Sequence, residues 1–123
     1  GTNHDDAGRG AGAARTHRAA LPQMRFLHYD EPGGDLAPHV DLARTDAAGR
    51  ASTHTFILYT RDCAEGGETG FLSHVPASRT DAATAIAAVA PRRGRLLVFP
   101  HVAPHEGRAT VSVPKVLLRG EVY

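Results

Sequence analysis

The chain has 123 residues, enough for one domain around one modest core. Lys and Arg (14) nearly balance Asp and Glu (13), so no net field draws the chain to a nucleic acid or an anionic membrane. One cysteine, Cys63, excludes an intrachain disulfide framework and a Cys-rich zinc site, whereas eight histidines raise metal ligation early. No apolar run approaches the roughly 20 residues of a membrane span, and the first residues hold no apolar leader segment. The expectation is a soluble, cytoplasmic protein with neither a nucleic acid nor a membrane as partner.

Residues 1–22 are rich in Gly, Ala and Arg and poor in large apolar side chains. They bury too little to offset ordering and read as a flexible lead-in to a core over residues 23–123. The run MRFLHY from Met24 is strand-like and ends in the turn Asp30-Glu31-Pro32-Gly33-Gly34. A short stretch around Pro38–Leu42 follows, then a polar loop over Ala43–Arg50. THTFILYT is the strongest candidate for a buried strand, and GETGFLSHV is another. The Ala-rich TDAATAIAAVA, with Thr80 or Asp81 as N-cap and Pro91 beyond its end, predicts the one helix. GRLLVFP, HEGRATVSV and KVLLRGEVY supply up to three further strands. Many short strands between Gly and Pro turns predict an all-β fold with one short helix, a cupin-like jelly roll or double-stranded β-helix.

His39-Val40-Asp41 is the first feature that requires a chemical explanation. In an extended segment, residues two apart point to one side, so this imidazole and this carboxylate converge. A third ligand from a distant strand would complete a 2-His-1-carboxylate facial triad, which leaves positions open on Fe(II). Two histidines compete for that place, His101 and His105; Pro100 and Pro104 argue against their sharing a helix. His105, which opens a β-rich run, is taken as the ligand, and His101 as a residue at the rim or behind the ligands. Ten positions on stands Lys115, which strand alternation puts on one face with Val113, Leu117 and Arg119. Taken alone that face reads as solvated. Beside a metal triad, a lysine among aliphatic residues reads as the anchor for a dicarboxylate.

With these residues in place, the chain from Met24 to Tyr123 resembles the prolyl 4-hydroxylase-like Fe(II)/2-oxoglutarate-dependent oxygenases. Five features agree in order and spacing: a strand ending in Tyr29, His-x-Asp, Gly-Gly-Glu-Thr, His-Glu-Gly, and the later lysine. The resemblance implies His39, Asp41 and His105 as catalytic iron ligands and Lys115 as anchor for the remote carboxylate of 2-oxoglutarate. It implies Tyr29 and Tyr59 as phenolic donors near the cosubstrate, for which ordinary core aromatics are the equal alternative. Thr69 and Phe71 would line the cavity wall, Arg119 matches an arginine that follows the family's lysine, and the loop Ala43–Arg50 would reach over the mouth. The cofactors implied are Fe(II), 2-oxoglutarate, dioxygen and ascorbate as reductant. The reaction implied is hydroxylation of a C–H bond, in a prolyl residue or similar group or in a small molecule, with release of succinate and CO2. The Asp41 carboxylate favours hydroxylation over halogenation, which needs a small residue there.

Ligation requires neutral imidazoles, so activity is expected to fall in mild acid. The alternatives are a catalytically silent jelly-roll module that binds metal or ligand, a cupin-type metalloprotein that leaves Lys115 unexplained, and, last, a nucleic-acid demethylase. The family places a helical segment ahead of its first core strand. Nothing before Met24 reads as one, so an apolar outer sheet face is expected to stand exposed.

Overall fold

The computed structural model describes residues 17–123. Eight strands run in chain order: β1 (Arg25–Tyr29), β2 (Leu36–His39), β3 (His54–Tyr59), β4 (Thr69–Leu72), β5 (Ala85–Val89), β6 (Leu96–Pro100), β7 (His105–Gly107) and β8 (Lys115–Val122). They form two four-stranded antiparallel sheets, ordered β1-β8-β3-β6 and β2-β7-β4-β5. This is the jelly-roll, double-stranded β-helix arrangement expected of the sequence. Of the lead-in, residues 1–16 lie outside the described residues. The part that follows is tied down: Leu21 is buried and its N–H donates to Glu121 O, while Tyr123 N–H donates to Ala19 O.

Strand alternation decides what faces the interior. On β8, Lys115, Leu117, Arg119 and Glu121 point inward. Register then builds rows across the first sheet: Tyr29 opposite Lys115, Leu27 opposite Leu117 opposite Tyr59, and Thr55 between Glu121 and Phe99. Ile57, Tyr59, Phe99 and Leu117 form the buried centre, and Phe71 of the second sheet meets Phe99 edge-on at 5.2 Å between centroids. Each such side chain contributes roughly 1.5–3 kcal/mol by leaving water. The opposite face of that sheet behaves as expected of an uncovered one. Phe26, Leu118, Leu58 and Leu96 form one cross-strand row, and Phe26 and Leu96 are 72% and 60% exposed.

The predicted helix is not there: among the described residues there is none, and Ala85–Val89 is the strand β5. Alanine content favoured helix, but the free edge of β4 needs hydrogen-bond partners, and β5 supplies them with Thr69 opposite Val89 and Phe71 opposite Ala87. Asp81, the candidate N-cap, closes the β4–β5 loop instead, accepting from Ala77 N–H and lying 2.8 Å from His74 Nε2.

The Gly66-Gly67 pair sits where two backbones nearly touch. Both residues have positive φ (73° and 70°). A Cβ on Gly66 would lie 2.5 Å from Ala109 O and 2.7 Å from Val111 N; one on Gly67 would lie 3.0 Å from Lys115 Cδ. The glycines thus bring the turn before β4 against the segment leading into β8. Gly66→Ala should destabilise the protein by about 2 kcal/mol or more, read as a lower urea midpoint; an unchanged midpoint would contradict the close approach.

Candidate metal centre

β2 ends at His39, directly opposite His105 at the start of β7, with ring centroids 4.3 Å apart. Past the end of β2, Asp41 N–H donates to His101 O at 2.9 Å. Asp41 falls on the same side as His39, as its spacing predicts. The ligand atoms of His39, Asp41 and His105 all lie within 4.8 Å of one another.

The protonation pattern suits a metal. His39 Nδ1 donates to Ala37 O at 2.7 Å and His105 Nδ1 donates to Ala103 O at 2.8 Å. A carbonyl can only accept, so Nδ1 of each ring carries a proton, and Nε2 is the atom turned towards Asp41. Those nitrogens lie 3.2 Å and 3.5 Å from the Asp41 carboxylate oxygens. Burial holds His105 below the usual histidine range, against the pull of the Ala103 carbonyl and Asp41. Burial would raise Asp41, but the Thr55 hydrogen bond and the charges of Arg119 and His105 outweigh it and keep the acid below the ordinary carboxylate value. Two imidazole Nε2 atoms and one ionised carboxylate that converge here are the donor set that Fe(II) takes in a facial triad.

A pocket opens beside the triad, its walls including Leu27, Tyr29, Thr69, Lys115 and Arg119 as well as His39 and His105. Lys115 is its most telling wall. The residue is 3% exposed, and among the described residues no carboxylate lies within salt-bridge distance of it. Its Nζ sits 5.0 Å from the centroid of the Tyr29 ring. Burial pushes its pKa below that of an ordinary lysine, although Cys63 and Glu68 act in the other direction. At the metal end of the pocket, Arg119 Nη2 contacts Asp41 Oδ1 at 2.9 Å.

Four residues expected at the cosubstrate, Tyr29, Thr69, Lys115 and Arg119, are thus brought to one pocket. Tyr59 is not on its wall. It is fully buried behind Thr69, its hydroxyl bonded to Thr69 Oγ1, and burial raises its pKa against that hydrogen bond. Phe71 packs between Phe99 and His105. His101 lies behind the triad, hydrogen-bonded to Ser52 and Thr55. Sequence reasoning missed Ser52 and Thr55; the available signal was a polar Thr55 in the inward register of Ile57 and Tyr59. It also missed the ion pair between Arg119 and Asp41.

Residues 24–120 match the family model of the 2OG-Fe(II) oxygenase superfamily. No curated protein matches the chain in sequence. Among solved structures the chain is similar to a Pseudomonas putida prolyl-4-hydroxylase, at 22% identity over 80% of this chain and 50% of that one, with a TM-score of 0.53. It is similar to an oxidoreductase of the 2OG-Fe(II) oxygenase family from Burkholderia pseudomallei at 17% identity over 89% and 45% of the two chains (TM-score 0.60). It is also similar to the viral collagen prolyl hydroxylase of Paramecium bursaria Chlorella virus-1 in its 2OG complex, at 19% identity over 83% and 61% (TM-score 0.52). At these identities the likeness is one of fold, and the chain spans 45–61% of the length of these structures. With the family match covering the eight-stranded core and the converging His39, Asp41 and His105 within it, the chain belongs to the 2OG-Fe(II) oxygenase superfamily.

Proposed function

We propose that this chain carries the catalytic core of an Fe(II)- and 2-oxoglutarate-dependent dioxygenase that hydroxylates a C–H bond. The observation that carries the reading is Lys115: a buried ammonium without an acidic partner among the described residues, on the wall of the pocket that holds His39 and His105. A cation there is costly unless an anion arrives, and a dicarboxylate reaching from the metal supplies one.

Fe(II), held by His39, Asp41 and His105, would supply dioxygen activation coupled to oxidative decarboxylation of 2-oxoglutarate. The balance is substrate C–H, 2-oxoglutarate and O2 in, and substrate C–OH, succinate and CO2 out, with ascorbate proposed as the reductant that keeps iron ferrous. The protein's part is placement and exclusion of water. Lys115 binds the remote carboxylate, flanked by the Tyr29 ring. Thr69 offers its hydroxyl to the cosubstrate and is itself oriented by Tyr59. Arg119 adds positive charge at the metal end while pairing with Asp41. Leu27, Ile57 and Leu117 keep the wall between them apolar.

Substrate access is proposed through the loop Ala43–Arg50. Arg44, Thr45, Asp46 and Ala47 border a second cavity of about 390 Å³ that also touches Glu121, two residues beyond Arg119 on the inner face of β8. A prolyl residue is the proposed substrate class, supported by two prolyl hydroxylases among the similar folds. A reducing, cytoplasmic setting accords with the free Cys63 thiol.

Protein loaded anaerobically with Fe(II) and then given 2-oxoglutarate and air should form succinate even without substrate. Asp41→Ala should abolish it, and Lys115→Ala should raise the 2-oxoglutarate KM by about 10–100-fold, the loss of one charge-assisted hydrogen bond. Absence of succinate from folded, iron-loaded protein would favour the silent binding module. In the metal-free protein, Lys115→Met should raise stability by about 1–3 kcal/mol, because it removes a buried charge at nearly constant volume; a loss of stability would mean that the ammonium is already compensated.

Acid should act on the metal-free fold in two stages. His101 and His105 have folded pKa values below 6.5, so the unfolded chain binds more protons there, and stability should fall from about pH 7 towards about pH 5. Asp41 is depressed below 3.8, so its contribution persists above that value and is lost as pH falls further. Urea midpoints across pH check both stages, and His105→Gln should flatten the first; a midpoint flat from pH 7 to about 5 would contradict the burial argument.

A further inference from the structure

Behind the triad runs a hydrogen-bonded chain that the proposed reaction does not use. Arg44 N–H donates to Ser52 Oγ at 2.8 Å, Ser52 Oγ lies 2.7 Å from His101 Nε2, His101 Nδ1 lies 2.9 Å from Thr55 Oγ1, and Thr55 Oγ1 donates to Asp41 Oδ2 at 2.6 Å. Ser52, Thr55, His101 and Asp41 are all 9% exposed or less. The direction of every bond follows from the ionised carboxylate at one end. Asp41 can only accept, so Thr55 gives it its single hydroxyl proton. The Thr55 oxygen must then accept, which places the His101 proton on Nδ1. His101 Nε2 is left as acceptor for the Ser52 hydroxyl, and the Ser52 oxygen accepts from the Arg44 backbone. Reversing any link would set two donors or two acceptors face to face in a buried site.

The same histidine also grips Asp41 by its backbone. Asp41 N–H donates to His101 O at 2.9 Å, and His101 N–H donates to Thr53 O at 3.0 Å. Meanwhile Arg119 Nη2 holds Asp41 Oδ1 at 2.9 Å, on the side where His39 Nε2 lies 3.2 Å away. A guanidinium next to a carboxylate favours a two-pronged contact with both oxygens. Thr55 prevents that by occupying Oδ2, which lies 3.5 Å from His105 Nε2, so Arg119 and His39 are left with Oδ1.

We propose that Ser52, His101 and Thr55 are positioning residues that fix the rotation of the Asp41 carboxylate, so that with Thr55 on Oδ2 and Arg119 on Oδ1 it does not turn both oxygens to the metal. One oxygen on the metal, rather than two, keeps a coordination position free for cosubstrate or dioxygen. The inference rests on the reading of His39, Asp41 and His105 as ligands.

The test is the affinity of metal-free protein for Co(II), titrated through its visible absorption, with the melting temperature of each metal-free variant measured alongside. Thr55→Val should weaken Co(II) binding by about 10–100-fold, the usual effect of losing a group that orients a ligand, while Thr55→Ser restores it. His101→Leu should weaken it in the same direction and cause no further loss in a Thr55→Val background, since both act through one bond. Ser52→Ala, a small change farthest from the metal, should cost a few-fold and supplies the test should a larger substitution prevent folding. Folded Ser52→Ala, Thr55→Val or His101→Leu protein that binds Co(II) within about twofold of wild type, whatever its melting temperature, would overturn the proposal. Asp41→Ala, run in parallel, tests the ligand reading: wild-type protein that binds no Co(II), or binding unaffected by Asp41→Ala, overturns that reading and this inference with it.

Discussion

A single ionised carboxylate, Asp41, is what the site is built around. Taking it out of water is costly, and the fold answers with a short list of partners: the Thr55 hydroxyl, the Arg119 guanidinium and the ring of His105. Each arrives from a different element. Thr55 stands on β3 and Arg119 on β8 of one sheet, while His105 stands on β7 of the other. The carboxylate therefore bridges the two sheets at one end of the barrel, and the geometry of the site is inseparable from the register of both. A one-residue slip of β8 would turn Lys115 and Arg119 outward together, removing the proposed anchor and the counter-charge in one step.

The positions along the inner face of β8 give the pocket its polarity. Lys115, Leu117, Arg119 and Glu121 alternate with outward residues, so one strand carries a buried lysine, an apolar spacer, a cation paired with Asp41 and an acid near the second cavity. Lys115 and Arg119 are about 13 Å apart along an extended strand. Both line the pocket that holds His39 and His105. Tyr29 and Leu27, paired with Lys115 and Leu117 across β1, form the neighbouring wall.

Much of this was legible in the sequence, for identifiable reasons. His39 and Asp41 declare themselves because period-two alternation is a local rule, whereas Lys115, on a face that alone reads as solvated, becomes legible only beside the triad. Strands with β-branched or aromatic residues, such as His54–Tyr59, announce their own state. β5 does not. Its alanines carry a helical preference, and only the unpaired edge of β4, a feature of the assembled sheet, makes them a strand. The chain from Ser52 to Asp41 was illegible for a related reason: its four side chains come from three separate stretches of chain, and serine and threonine are too common to mark a site by identity. Tyr59 could be placed near the site but not on its wall, because the difference rests on whether Thr69 stands in front of it.

The uncompensated ammonium of Lys115 has a consequence outside catalysis. A fold that holds a positive charge in reserve for a visiting anion is less stable empty than full, so its unfolded population depends on how much of that anion surrounds it. Proteases act on opened chains, and their cutting follows that population when opening is fast. The lifetime of this protein would then lengthen when the dicarboxylate is abundant and shorten when it is scarce, which would couple the amount of protein present to the supply of its proposed cosubstrate.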